Sequence, residues 1–219
     1  MTEFNPQTAT TDELWDYCLV QYNSKNPVAK WILANYFTRI RQIVALLCEN
    51  DRLLEVGCGA GASSRQILEM LHGQEFQVSE IDERYIKKLK ETDFPLQVQQ
   101  ESVLNLRRKD KEFDCVFLLE VLEHVWDYKR ALSEIFRVSR KYTVISVPNE
   151  PLWRMLNITR GKYLQHYGNT PTHVNHWSPE SFKPLISRYG TVLKVFTPIP
   201  WIIVLAEAKA TPTGSNIGK

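Results

Sequence analysis

Residues 120–124 read Glu-Val-Leu-Glu-His, two carboxylates and an imidazole within five positions. In a helical turn, spacings of three and four would bring Glu120, Glu123 and His124 onto one face. Empty, such a group repels itself; filled, it is a partial shell for a divalent cation, and Mg²⁺, Mn²⁺ and Zn²⁺ all suit the donors. A further ligand has to come from elsewhere, and the segment 171–178 (PTHVNHWS) offers histidines. The plainer alternative keeps Glu123 as a solvated helix residue. His124 then lines a cavity or serves as a general base. His166 and His176 are read as packed rather than chemical residues.

The second group is Glu55-Val-Gly57-Cys58-Gly59-Ala-Gly61. Glycines at these spacings allow a tight turn and close approach of a ligand to the backbone. Gly57, Gly59 and Ala62 also satisfy the dinucleotide fingerprint, so the loop alone leaves an NAD(P) enzyme open. Glu55 argues against a pyrophosphate, which it would repel, and for a cationic amino group.

These residues need a scaffold that holds them at strand ends. Two helical patterns open the chain, near Asp12–Gln21 and from Pro27 to about Cys48. Pro27 suits a first helical turn, and Trp31, Ala34, Ile40, Ile43, Val44 and Leu47 recur at roughly helical spacing. From Arg52, short apolar strands alternate with helices: RLLEV, SSRQILEML, FQVSEI, ERYIKKLK, PLQVQQ, FDCVFLL, DYKRALSEIFRV and YTVISV. A helix near Pro179–Arg188 and the strands VLKVFTPI and WIIVLAEA follow. The alternation predicts an α/β fold, a mostly parallel, Rossmann-like sheet of seven strands with helices on both faces. Such sheets bind ligands at the carboxyl ends of their strands. Residues 1–210 are expected to form one domain, with 1–50 as a helical cap and 150–177 as an insertion over the site. Residues 211–219 are expected to be a disordered tail.

The Glu55–Gly61 loop resembles the first motif of class I S-adenosylmethionine-dependent methyltransferases, and the resemblance runs to Pro148. It implies a cofactor site built from Glu55, Gly57, Cys58, Gly59, Gly61, Asp82, Ser102, Val103 and Leu119. Asp82, in the SEID stretch, is placed on the ribose hydroxyls, and Glu101-Ser102-Val103 beside the adenine. The family's common Pro-Gly-Gly turn before the fifth strand is replaced here by Ser139-Arg140-Lys141. The Glu-x-x-Glu-His turn is also similar to two narrower groups. One is the O-methyltransferases of ubiquinone biosynthesis; the other methylates the 3′-terminal ribose of small RNAs. Both pair the turn with a later histidine, for which His173 is the best match. The resemblance thus implies His124 and His173 as catalytic residues and Glu120, Glu123, His124 and His173 as ligands of one cation.

Bulk properties narrow the acceptor. Of 219 residues, 43% are apolar and 24% charged, the balance of a globular protein. A net charge of +2 gives no electrostatic case for nucleic acid. Cys18, Cys48, Cys58 and Cys115 form no CxxC pair, so neither a disulfide framework nor a thiolate zinc site is expected. No apolar run approaches a membrane span, and residues 1–16 lack the apolar core of a signal peptide. A cytoplasmic enzyme is expected, acting by O-methylation on a small or lipid-like molecule. N- or C-methylation, RNA-terminal methylation and a non-catalytic subunit are the alternatives. Aromatics beside Lys25, Lys30, Arg154, Arg160 and Lys162 leave peripheral membrane contact open, against the simpler reading that they wall a substrate pocket.

Overall fold

The computed structural model describes residues 8–161 and 163–208. Lys162 and the tail expected at 211–219 lie outside them. Seven strands, β1 (Arg52–Val56), β2 (Glu75–Glu80), β3 (Val98–Gln100), β4 (Phe113–Leu119), β5 (Ser139–Pro148), β6 (Gly190–Phe196) and β7 (Trp201–Ala208), form one sheet in the order 3-2-1-4-5-7-6. The first five are parallel; β7 runs antiparallel between β5 and β6. Strand order reverses between β1 and β4, so a crevice opens past their carboxyl ends.

Strand side chains alternate between two cores. On one face Leu54, Val116, Leu118 and Val204 meet Leu132 and Ile135 of α5 (Tyr128–Val138) and Phe182 and Ile186 of α7 (Pro179–Ile186). On the other, Leu53, Phe117 and Ile203 meet Tyr36, Phe37, Ile40 and Ile43 of α2 (Pro27–Val44) and Ile67 of α3 (Ala62–Leu68). α2 starts with Pro27 in its first turn, and Asn26 Oδ1 accepts from the Val28 N–H at 2.8 Å. Trp31 does not join this core and is 64% exposed. Nine residues separate it from Ile40, which on an α-helix is about half a turn out of phase. α1 (Thr11–Leu19) and α4 (Glu83–Lys90) lie beside one another, and α6 (Glu150–Thr159) opens the segment that follows β5. Residues 150–177, expected as an insertion over the site, begin with ten helical residues. Among the described residues no helix is long and apolar enough to cross a membrane.

Charges at the opposite, amino-terminal edge of the sheet serve the fold. Buried Asp114 accepts from the Arg52 N–H at 3.0 Å and from Arg140 at 2.5 Å, with Lys141 Nζ 3.0 Å away. Burial works to raise its pKa, but the bonds from Arg140, the Arg52 N–H and Lys141 outweigh it and hold the carboxyl below its usual range. A depressed carboxyl contributes stability above its unfolded pKa, about 3.9, and loses it as pH falls through the folded value. Asp114→Asn is therefore expected to cost more at pH 7 than at pH 3, measured by urea unfolding at both. Equal costs at the two pH values would count against it.

Candidate functional site

β1 ends on buried Val56 and turns at once. The Gly57 and Cys58 N–H groups donate to the Ser79 carbonyl at 2.8 and 3.0 Å, tying the loop to β2. Gly57 has φ +78°, and a Cβ there would sit 2.6 Å from Val121 Cγ2. Both the backbone and the space demand glycine. Gly57→Ala is expected to destabilise the chain by about 1–3 kcal/mol and to narrow the cavity beside it. Val121→Ala should restore only the steric part, because the φ penalty remains; a thermal melt of the single and double variants separates the two.

The loop borders a cavity of about 700 Å³ that spans the carboxyl ends of β1, β2 and β4. Gly57, Cys58, Gly59, Ser102, Val103 and Leu119 all face it. Gly61, at φ +74°, is the residue from which α3 starts, and it supports the loop from outside the cavity wall. Glu55 also lies behind the wall. Its two oxygens accept from Ser63 and Ser64 at 2.5 Å each, and burial pushes its pKa up to about 7 despite those bonds.

The carboxylate at the end of β2 is Glu80, not Asp82. Asp82 is the N-cap of α4: it accepts from the Arg84 N–H at 2.9 Å and pairs with the Arg84 guanidinium at 2.6 Å. It does not border the cavity, whereas buried Glu80 does. The Glu80 oxygens are fixed by the N–H groups of Gly59 (2.8 Å), Ile81 (2.7 Å) and Asp82 (2.9 Å). Three donors fill three of its roughly four lone-pair sites, which fixes one orientation and leaves one acceptor site on Oε2.

At the far end of the cavity the chain folds in a way that splits the expected ligand set. Only Leu122–His124 is helical, as a 3-10 turn, and Glu120 precedes it at φ +56°. Glu120 therefore leaves the shared face, and its carboxyl accepts from Ser146 Oγ at 2.8 Å. The expectation of four converging ligands is corrected on this point. Glu123, His124 and His173 do converge, with ligand atoms all within 4.8 Å of one another. His173 arrives from the insertion, whose backbone is pinned by the Val174 N–H donating to the Glu123 carbonyl at 2.9 Å. His124 Nδ1 bonds the Thr172 carbonyl at 2.9 Å. His173 Nδ1 bonds Glu150 Oε1 at 2.5 Å. With Nδ1–H engaged, each ring keeps its lone pair on Nε2. Desolvation, helped by His173, holds His124 down to about 4, although its ring edge opens on the cavity. Burial pushes Glu120 up to about 8 and raises Glu123 well above the carboxylate range. His176 faces away and bonds Asn169 at 2.6 Å.

Two of these residues, Glu80 and Glu150, had no part in the sequence-based site. For Glu80 a signal existed: Ile86 and Leu89 are the buried positions of α4, and counting back from them puts Asp82 at the cap. Glu150 carries no local signal, since its partner lies 23 residues away.

Residues 54–146 match a family described as a methyltransferase domain, a span that runs from β1 into β5 and holds the glycine loop and Glu80. The class I methyltransferase sheet order and the cavity at its switch point agree with that match. Residues 54–146 thus resemble S-adenosylmethionine-dependent methyltransferases, and the fold is the Rossmann-like class I methyltransferase fold. It is 29% identical over 130 residues to a probable S-adenosylmethionine-dependent methyltransferase of Mycobacterium tuberculosis, covering 53% of this chain and 44% of that one. A similar protein of Mycolicibacterium smegmatis is 29% identical over 127 residues, with 52% and 46% covered. The chain spans about half the length of these methyltransferases. Among solved structures, magnesium protoporphyrin IX methyltransferase of Synechocystis PCC 6803, with bound SAH, shares the fold at TM-score 0.62 and 15% identity, covering 91% of this chain and 98% of that one. A Haloferax volcanii methyltransferase complex with the Trm112 activator matches at TM-score 0.66 and 12% identity, covering 93% and 99%. At these identities the likeness is one of methyltransferase fold.

Proposed function

We propose that this chain binds S-adenosylmethionine in the large cavity and transfers its methyl group to a hydroxyl of a small, partly apolar acceptor. One observation carries the reading: the glycine loop with Glu80 and the Glu123–His124–His173 cluster face the same cavity. Its volume, about 700 Å³, lies within the range of small-ligand sites. The residues fit the cofactor, since the glycine loop brings bare backbone to the cavity wall and Glu80 keeps an unused lone-pair site on Oε2 for a ribose hydroxyl. That role passes from Asp82 to Glu80. Ser102 and Val103 would border the adenine, and Leu119 the middle of the cofactor.

The acceptor end carries the chemistry. Methyl transfer is an in-line displacement, so alignment of the two reactants does much of the work. A hydroxyl acceptor must also lose a proton. The cluster fits a divalent cation on its own donor set: the buried Oε2 atoms of Glu123 and Glu150 have no hydrogen-bond partner, and both imidazoles keep Nε2. Glu123, His124 and His173 would hold the ion, and Glu150 would fix the tautomer of His173. When bound, the cation lowers the pKa of a nearby hydroxyl. Trp153 and Tyr36 supply the apolar walls.

Incubation with methyl-labelled S-adenosylmethionine and a panel of phenols, catechols, amines and thiols tests the reading by mass spectrometry. Label is expected on oxygen; transfer to nitrogen or sulfur alone would sink the hydroxyl assignment.

A further inference from the structure

Trp126 is the most exposed large apolar side chain among the described residues, at 82%. The fold does not use it. Val125 and Tyr128 pack into the sheet core on either side, and Asp127 caps α5 by accepting from the Arg130 N–H at 3.1 Å. An indole left in water between residues that are all engaged invites the question of what it meets.

Its position answers in part. Trp126 borders the cofactor cavity together with Val103 and Leu104. The start of α5 is fastened along that loop: Arg130 Nε donates to the Leu104 carbonyl at 2.8 Å, and Glu134 accepts from the Leu106 N–H at 2.9 Å. The indole therefore stands on a rigid base beside Val103 and Leu104, the end of the cavity that the cofactor reading gives to the adenine, and its base is held from the other side by Asn175 Nδ2 donating to the Val125 carbonyl at 2.8 Å. Its two side-chain torsions are free to turn without disturbing α5. A flat, apolar ring of that size matches a purine face, and stacking between them needs no particular hydrogen-bond pattern.

We infer that the Trp126 indole closes over the outer face of the cofactor's adenine ring, opposite Val103, and seals that end of the cavity from water. The inference rests on the cofactor reading above. It makes Trp126 a binding residue for the adenosyl moiety that does not take part in methyl transfer itself.

Titration of S-adenosylhomocysteine into the full chain, followed by tryptophan emission and by calorimetry, tests it. Binding should quench and blue-shift the emission, and that change should vanish in Trp126→Phe even though five other tryptophans remain. Trp126→Ala should weaken binding about tenfold, and Trp126→Phe should retain most of the affinity. Adenosine should reproduce the emission change and methionine should not. Unaltered affinity in Trp126→Ala, or a full emission change in Trp126→Phe, overturns this inference alone. No binding to the unsubstituted chain overturns the cofactor site and this inference with it.

Discussion

Replacing Glu80 by alanine is expected to weaken S-adenosylhomocysteine by about 10–100-fold, whereas replacing Asp82 should leave that affinity within about twofold. The two carboxylates are two residues apart, and their surroundings assign opposite duties. Glu80 faces the cavity with its orientation fixed by three backbone N–H groups, one of them from the glycine loop. Losing the charge-assisted bond to a ribose hydroxyl costs about 1.5–3 kcal/mol. Asp82 instead caps α4 and pairs with Arg84, so Asp82→Ala should cost about 1 kcal/mol of stability. Calorimetry for affinity and a thermal melt for stability read the two effects separately. Glu80→Gln guards against a folding artefact, since it keeps the shape but loses one acceptor. If Asp82→Ala is the variant that loses the ligand, the reassignment fails.

The contrast between Glu80 and Asp82 also shows what the sequence could say. Strand identities were legible because β1, β4 and β7 are nearly continuous apolar runs bounded by polar turns, which only a doubly covered sheet buries. The glycine loop was legible because its backbone requirement is written in residue type. Distance counting from that loop, however, cannot separate two acids at positions 80 and 82. What separates them is the start of α4, set by the burial of Ile86 and Leu89. Glu120 failed for a related reason. The i, i+3, i+4 rule presumes helical backbone throughout, but at Glu120 the chain leaves β4 through a left-handed conformation. Its N–H and carboxyl are both taken by Ser146, 26 residues away. Trp31 lies within the helical run but half a turn away from its buried stripe. Contacts made within the insertion, such as Glu150 with His173, leave no periodic trace at all.

Exhaustive chelation is expected to reduce methyl transfer by about two orders of magnitude or more, while S-adenosylhomocysteine affinity stays within about twofold. The reason is geometric: the glycine loop and Glu80 hold the cofactor through groups that share no atom with Glu123, His124 or His173. Glu123→Gln and His173→Ala should each abolish binding of Mn²⁺, followed by electron paramagnetic resonance and by calorimetry with the metal alone. Glu150→Gln should weaken it by about 10–100-fold, because the carboxylate only orients and polarises the His173 ring. Glu120→Gln should have less effect on metal affinity than Glu123→Gln, since its carboxyl is already spent on Ser146. His176→Ala should be nearly silent toward the ion, its ring being turned to Asn169. This ordering distinguishes a metal centre from a purely structural cluster, in which Glu150 and Glu123 would act through stability and Mn²⁺ would bind nowhere. Activity that survives chelation, with no Mn²⁺ signal in the unsubstituted chain, ends the metal reading. His124 Nε2, neutral and open to the cavity, is then the base that takes the acceptor's proton, and His124→Ala becomes the variant with the largest loss of turnover.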